Sequence, residues 1–120
     1  MRAAFLTNNK IQINRVYSAE AQAKLKELFS FHEGVYTVNE SEKLSDVECI
    51  FSTWGMPSYT EEEIKTYFPN LKIVFYGAGS VQSFARPFLA CGIQVVSAWM
   101  ANSVPVIEYT LAQILLANKG

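Results

Sequence analysis

The chain has 120 residues, half of them hydrophobic, which suits one domain with its own core and is too short for two. Ten basic residues against eleven acidic ones give a formal net charge of −1. The basic excess that phosphate neutralisation requires is missing, so nucleic acid is not an expected partner. The apolar start stops at Thr7-Asn8-Asn9-Lys10, too early for a secretory leader or a membrane span, and a cytoplasmic protein with no membrane contact is expected.

Short apolar runs alternate with amphipathic stretches, the pattern of β-α units around a parallel sheet. Ala3 to Thr7 reads as a first strand. Ser18 can cap a helix from Ala19 to about Phe29, with Ala21, Leu25, Leu28 and Phe29 on one face. Gly34 ends that excursion, and Val35 to Val38 is a candidate second strand. Asp46 to Ser52 carries Val47, Cys49, Ile50 and Phe51, consistent with a buried third strand. The loop from Thr53 to Tyr59 contains Gly55 and Pro57 and leads to Thr60-Glu61-Glu62-Glu63. Thr60 with Glu63 makes a capping box, and three acids in a first helical turn suit the positive end of the helix dipole without any catalytic role. Pro69 ends this helix near Tyr67.

Leu71 to Tyr76 is the fourth strand, followed by Gly77-Ala78-Gly79-Ser80 and a segment that Pro87 either confines to a short turn or starts in its first turn. Gly92 makes a stop, and Ile93 to Val96 a fifth strand. Five strands with intervening helices describe a flavodoxin-like, doubly wound parallel α/β sheet. Asn102-Ser103-x-Pro105 then reads as a helix start, with Asn102 as cap and Pro105 in the first turn. From Ser103 to Ala117 the residues are apolar almost all round. One face could lie on the domain's own sheet, but the remainder requires another domain or another copy. Self-association through Val104 to Leu116 is expected, since exposed patches of that size seldom stay solvated. The sequence therefore reads as part of a longer protein.

Cys49 and Cys91 lack the spacing of a zinc site or redox pair and suit small core positions. His32, the one histidine, falls at the expected end of the first long helix, where a positive group is favourable. No catalytic constellation and no metal site can be assembled around it. A receiver-type phosphorelay domain fits poorly, because the first and third strands end in Thr7-Asn8-Asn9 and Ser52-Thr53 without an aspartate. Gly77-x-Gly79 after a strand invites a dinucleotide reading, but Gln82 stands at the third glycine position and the fifth strand ends without an acid. Two glycines at the carboxyl end of a strand can still turn backbone N–H groups into the crevice where such sheets bind ligands, a nest that suits a small carboxylate. A tight turn with no ligand is the alternative. Trp54 is either a core anchor or, on a loop at the same edge of the sheet, a ligand contact.

The stretch from Cys49 to Lys119 resembles the D-isomer-specific 2-hydroxyacid dehydrogenases. The likeness rests on Leu71-Lys-Ile-Val-Phe-Tyr-Gly-Ala-Gly79, Cys91-Gly-Ile-Gln-Val-Val-Ser97 and the run from Ala101 to Leu116, in that order and spacing. Residues 1 to 48 agree only in general pattern. The resemblance implies a substrate-binding domain over 1–101 and an interdomain helix over 102–120 leading to a cofactor domain that binds NAD or NADP. It implies that the Ala78 and Gly79 N–H groups receive the carboxylate of a small 2-hydroxy or 2-keto acid. Trp54 and Gly55 would line the substrate pocket, and Asn102 would stand at the cleft on the cofactor side. The family often carries an acid soon after the glycine loop, where this chain has Ser80-Val81-Gln82-Ser83. The dinucleotide fingerprint, the substrate-holding arginine and the histidine-glutamate pair would follow Gly120, so these 120 residues are expected to be inactive alone. The other readings are a stand-alone flavodoxin-like module that binds a small carboxylate and a dimerisation module that uses the terminal helix.

Overall fold

A computed structural model describes residues 1–120. Five strands, β1 (Arg2–Leu6), β2 (Ser30–Tyr36), β3 (Cys49–Ser52), β4 (Ile73–Tyr76) and β5 (Gln94–Ser97), form one sheet in the order β2-β1-β3-β4-β5. Every pairing is parallel, as strands joined by helical crossovers require. This is the flavodoxin-like order, and it reverses direction between β1 and β3.

Five α-helices accompany the sheet: α1 (Ile11–Val16), α2 (Ala19–Leu28), α3 (Glu61–Tyr67), α4 (Ala85–Ala90) and α5 (Trp99–Lys119), with a 3-10 helix over Val38–Leu44. Ser18 caps α2 by accepting from the Ala21 N–H. Thr60 Oγ1 accepts from the Glu63 N–H, and the Glu63 carboxylate accepts from the Thr60 N–H, so the expected capping box starts α3. The acids at 61–63 occupy that first turn.

Alternation along the strands divides the core in two. Ala4, Leu6, Ile50 and Val74 face Ile64, Phe68, Phe84 and Phe88 from the side of α3 and α4. Ala3, Phe5, Cys49 and Phe51 face the other way, with Ile13 of α1 and partly buried Tyr17, Leu25 and Phe29 against them. Phe51 stacks on Phe75 with ring centroids 5.0 Å apart, continuing an apolar surface toward β5. Neither α1 nor α2 covers that far: Val96 of β5 is 45% exposed, and α2 has no buried residue.

The structure corrects the expectations at the second strand and at the terminal helix. The second strand begins at Ser30 instead of Val35, because Ser30 and Phe31 already pair with Arg2 and Ala3. Gly34, at φ +84°, lies within the strand and not before it. Five residues of β2, Phe31 to Val35, oppose three of β1, Ala3 to Phe5, and glycine supplies the left-handed step of that bulge. His32 accordingly sits on an edge strand and not at a helix end. Its Nε2 lies 2.8 Å from Asp46 Oδ1.

The terminal helix begins at Trp99, four residues before the expected start at Ser103. It follows β5 with only Ala98 between, and the Ala98 carbonyl already accepts from the Asn102 N–H. Asn102 therefore lies inside the helix and does not cap it. Pro105 is interior as well, where its missing N–H leaves one carbonyl without its helical donor. No face of α5 lies on the domain's own sheet, and none of its residues is buried.

Candidate functional site

At the carboxyl ends of β1, β3 and β4 three loops converge, and buried hydroxyls that carry no sequence motif tie them together. Thr7 Oγ1 donates to the Trp54 carbonyl at 2.9 Å and accepts from the Asn9 N–H at 3.1 Å. Ser52 Oγ donates to the Leu6 carbonyl at 2.5 Å, and Thr53 Oγ1 reaches the Gly77 carbonyl at 3.4 Å. Thr7, Ser52 and Thr53 are fully buried, so each hydroxyl must find a partner, and a loop carbonyl at a strand end is the nearest one. The signal available in sequence was a polar residue at the end of each apolar run.

The Trp54-Gly55 turn sits at the reversal of strand order, where open α/β sheets form their ligand crevice. Gly55 has φ +89°, and a Cβ there would come within 2.8 Å of Thr7 Oγ1. Its carbonyl accepts from the Asn8 N–H at 2.9 Å. Trp54 is 48% exposed, so its indole is not a core anchor.

The loop after β4 starts with Gly77, whose N–H donates to the Ser52 carbonyl at 2.8 Å. A Cβ on Gly77 would meet Val16 Cγ1 at 2.7 Å and Tyr17 Oη at 2.9 Å, which gives this glycine a packing reason. Tyr17 Oη itself donates to the Ser52 carbonyl at 2.9 Å, and burial raises its pKa well above the usual phenol value. The tyrosine is a fixed neutral strut. Ala78 is fully buried and Gly79 half-buried. Ser97 Oγ lies 3.0 Å from the Ala78 carbonyl and 2.5 Å from that of Gly79, which holds the two carbonyls toward β5. The N–H groups of Ala78, Gly79 and Ser80 donate to no protein acceptor. Ala78 is enclosed, so the reachable donors are those of Gly79 and Ser80, two successive free N–H groups at a strand's carboxyl end that can receive an anion.

Asn102 comes to this loop from α5. Its Nδ2 lies 2.9 Å from where a Cβ on Gly79 would stand, so the fold brings Gly79 and Asn102 together. Trp54 and Gly55 belong to the neighbouring loop, linked to the first through Thr53. His32 does not join them. It lies at the amino-terminal edge, where Asp46 pairs with both His32 and Arg2. No three His, Cys, Asp or Glu side chains gather as a metal site would need.

These residues do not fit a dinucleotide. The loop does not run into a helix N-terminus, since α4 starts only at Ala85 and spans six residues. Gln82 stands where a third glycine should permit close packing, and β5 ends in Ser97-Ala98 with no acid for a ribose.

Comparison with solved structures gives the fold the same relatives. One is a protein from Polaromonas sp. JS6 66 described as a D-isomer specific 2-hydroxyacid dehydrogenase, NAD-binding. It shares 18% identity over 79% of this chain and 29% of its own length, with a TM-score of 0.56. The apo form of D-lactate dehydrogenase from Escherichia coli shares 14% identity over 82% of this chain and 31% of its own, with a TM-score of 0.54. This chain thus spans less than a third of either protein, and the likeness is one of fold. No protein-family model matches the sequence, and no curated protein does. No helix is long and apolar enough to cross a membrane.

Proposed function

We propose that this chain is the substrate-side domain of an NAD(P)-dependent dehydrogenase that interconverts a small D-2-hydroxy acid and its 2-keto acid. The observation that carries the reading is the run of unclaimed N–H groups from Ala78 to Ser80, of which those of Gly79 and Ser80 are reachable, next to the loop at the reversal of strand order. A carboxylate accepts two or three such donors well, and charge-assisted bonds of this kind are about twice as strong as neutral ones. The fold likeness to two 2-hydroxyacid dehydrogenases favours that ligand over other anions.

In this reading Ala78 and Gly79 hold the carboxylate, Trp54 and Gly55 wall the pocket, and Asn102 stands beside the loop on the side that faces the cofactor. The substrate domain, expected over 1–101, closes with β5 at Ser97, and α5 (Trp99–Lys119) is the helix that leads toward the cofactor domain. NAD(P) supplies or accepts the hydride when bound. The present loop cannot hold it, so the dinucleotide site, the substrate-holding arginine and the proton-moving pair belong to another domain. What this chain contributes is orientation: a carboxylate fixed at one end presents its neighbouring carbon in a defined direction, which is where much of the rate of a bimolecular step originates.

Titration of 15N-labelled protein with oxalate or glyoxylate tests the site. Saturable shifts should cluster at the amides of Ala78, Gly79 and Ser80. Shifts scattered over the surface, or none at millimolar ligand, would remove the basis of the reading. The purified 120 residues should not reduce glyoxylate with NADH or NADPH, and measurable turnover would place the chemistry within this chain after all.

A further inference from the structure

The bulge of the edge strand β2 opens a cavity. His32, Glu33 and Gly34 stand opposite Ala4 alone, so the strand bends there and re-aims its side chains, as bulges beside binding sites do. Between the bulge and the helices lies a cavity of about 520 Å³, with Asn14 of α1 and Gln22 and Lys26 of α2 on one side and Ser30 to Val35 on the other. That volume is within the range of small-molecule sites. Gly34 keeps the cavity open, since nothing lies within 4 Å of where a Cβ would stand there.

Its lining has two chemically distinct parts. Phe29 and Phe31 are the apolar part, with Phe31 stacked on Phe5 at 4.8 Å between ring centroids and edge-on to Phe29 at 6.3 Å. The polar part carries two charges of opposite sign, Lys26 and Glu33. Neither has an ion-pair partner, and they do not pair with each other. His32 adds no free charge, because its Nε2 is held by Asp46, which Arg2 also pairs. Gln22 donates its amide to Asn14 Oδ1 and to the Tyr17 carbonyl, which leaves the Asn14 amide N–H and the Gln22 oxygen without a protein partner.

We infer that this cavity binds a free α-amino acid with an apolar or aromatic side chain. The ligand's carboxylate pairs with Lys26, its ammonium with Glu33, and its side chain lies on the rings of Phe29 and Phe31. A cation and an anion that line one cavity without meeting suit a ligand that carries both charges. A simple anion would satisfy Lys26 but face Glu33, and a simple amine would do the reverse, so the pair selects against both. The Asn14 amide can donate to the carboxylate, and the Gln22 oxygen can accept from the ammonium. Lys26 and Glu33 are exposed, and ordering them offsets part of the gain. At the efficiency usual for small ligands, a molecule of about a dozen non-hydrogen atoms then binds with a Kd of roughly 1 mM. The site lies at the β2 edge, separated from β4 by β1 and β3, and does not depend on what the Gly79–Ser80 loop binds.

Titration of the 15N-labelled chain with phenylalanine tests this, with 3-phenylpropionate, which lacks the ammonium, and 2-phenylethylamine, which lacks the carboxylate, as comparisons. Phenylalanine should give saturable shifts at the amides of Gln22 to Lys26 and Phe31 to Val35. Each comparison ligand should bind roughly three- to fivefold more weakly, the worth of one exposed ion pair. Lys26→Gln should bind phenylalanine no better than 2-phenylethylamine, and Glu33→Gln no better than 3-phenylpropionate. Both side chains are exposed, so neither change should unfold the domain, and circular dichroism checks that. The proposal is overturned by the absence of saturable shifts at roughly tenfold the expected Kd, or by shifts that map elsewhere. It is overturned equally if the comparison ligands bind as tightly as phenylalanine, or if the two variants bind it as the wild-type chain does. Oxalate reads Gly79 and Ser80 in a separate titration, so either site can fail without the other.

Discussion

Replacing Gly55 with alanine separates two costs that usually arrive together. The residue sits at φ +89°, a backbone conformation that costs a side chain about 1–2 kcal/mol. In addition, the new Cβ would stand 2.8 Å from Thr7 Oγ1 and 3.1 Å from both Asn9 Cβ and the Asn9 backbone nitrogen. Thr7 cannot yield freely, because it is fully buried and its hydroxyl bridges Asn9 and the Trp54 carbonyl. Losing that hydrogen bond adds about 0.5–1.5 kcal/mol, so Gly55→Ala should cost about 1.5–3.5 kcal/mol in all. Gly34 is the internal control. Its φ is +84°, but nothing lies within 4 Å of a Cβ there, and Gly34→Ala should cost only the backbone term of about 1–2 kcal/mol. Gly79→Ala inverts the comparison: its φ is not left-handed, and its Cβ meets only the end of the Asn102 side chain at 2.9 Å. That variant should keep nearly full stability. Urea denaturation of the three variants, followed by circular dichroism, gives the ranking. Equal losses at Gly55 and Gly34 would refute the clash with Thr7, and a large loss at Gly79 would refute the claim that Asn102 moves aside.

The acid limb of stability should be set by three carboxylates, Glu40, which the Thr37 N–H holds below the usual range, and two near the start of β1 and β3. The hydrogen bond from Lys72 and that from the Arg2 N–H hold Glu48 below the usual carboxylate range. Asp46 is pushed up by desolvation, but its bonds to His32 and Arg2 outweigh this and leave it lowered. Folded-state values below the unfolded ones mean stability that is complete above about pH 5 and is lost as pH falls through the folded values, from the unfolded references of about 3.9 and 4.3 downward. The urea midpoint should therefore fall between pH 5 and pH 3, and a flat or rising midpoint there would contradict both pairings. Burial pushes the Cys49 thiol up to about 12, whereas Cys91 is half-buried at the end of α4. Native protein at pH 8 should therefore show one fast thiol toward a disulfide reagent, and Cys91→Ser should abolish it. Fast reaction in the Cys91→Ser variant would mean that β3 is less enclosed than described.

The fold was legible because its signals are local and redundant. The apolar runs around Phe5, Ile50, Val74 and Val95 each mark a strand, and the Thr60-Glu63 box marks a helix start that the structure reproduces atom for atom. What was not legible depends on partners far away in sequence. The strand at Ser30 exists because Met1 to Leu6 offers it a ladder, and no property of Ser30-Phe31-His32-Glu33 shows that. The 3-10 helix at Val38–Leu44 did leave a trace, since Thr37 and Glu40 have capping-box spacing and the Glu40 carboxylate accepts from the Thr37 N–H. The start of α5 differs from the expected one because Asn102 and Pro105 are strong local cues, yet hydrogen bonding that continues from β5 through Ala98 outweighs them. At the candidate site the glycines stood out in sequence. The hydroxyls that shape their loops did not, since a buried threonine at a strand end looks like any other threonine.

Ser97 shows how such a hydroxyl bears on function. It is the last residue of β5, and its Oγ sits between the carbonyls of Ala78 and Gly79. A peptide plane has two ends, so fixing the Ala78 carbonyl fixes the direction of the Gly79 N–H, and fixing the Gly79 carbonyl fixes that of Ser80. Two of the three free donors are thus aimed by a side chain that never touches the ligand. Removing it in Ser97→Ala should cost about 1 kcal/mol of stability at most, as for one ordinary hydrogen bond. The same change lets both planes rotate, and a nest that must be ordered on binding loses affinity by the ordering cost, about 1 kcal/mol or roughly fivefold in oxalate binding. Ser97→Thr keeps the hydroxyl and should recover most of that affinity. If Ser97→Ala binds oxalate as the wild-type chain does, the loop is rigid without the serine, and its free N–H groups owe their direction to Gly77 and the Ser52 carbonyl alone.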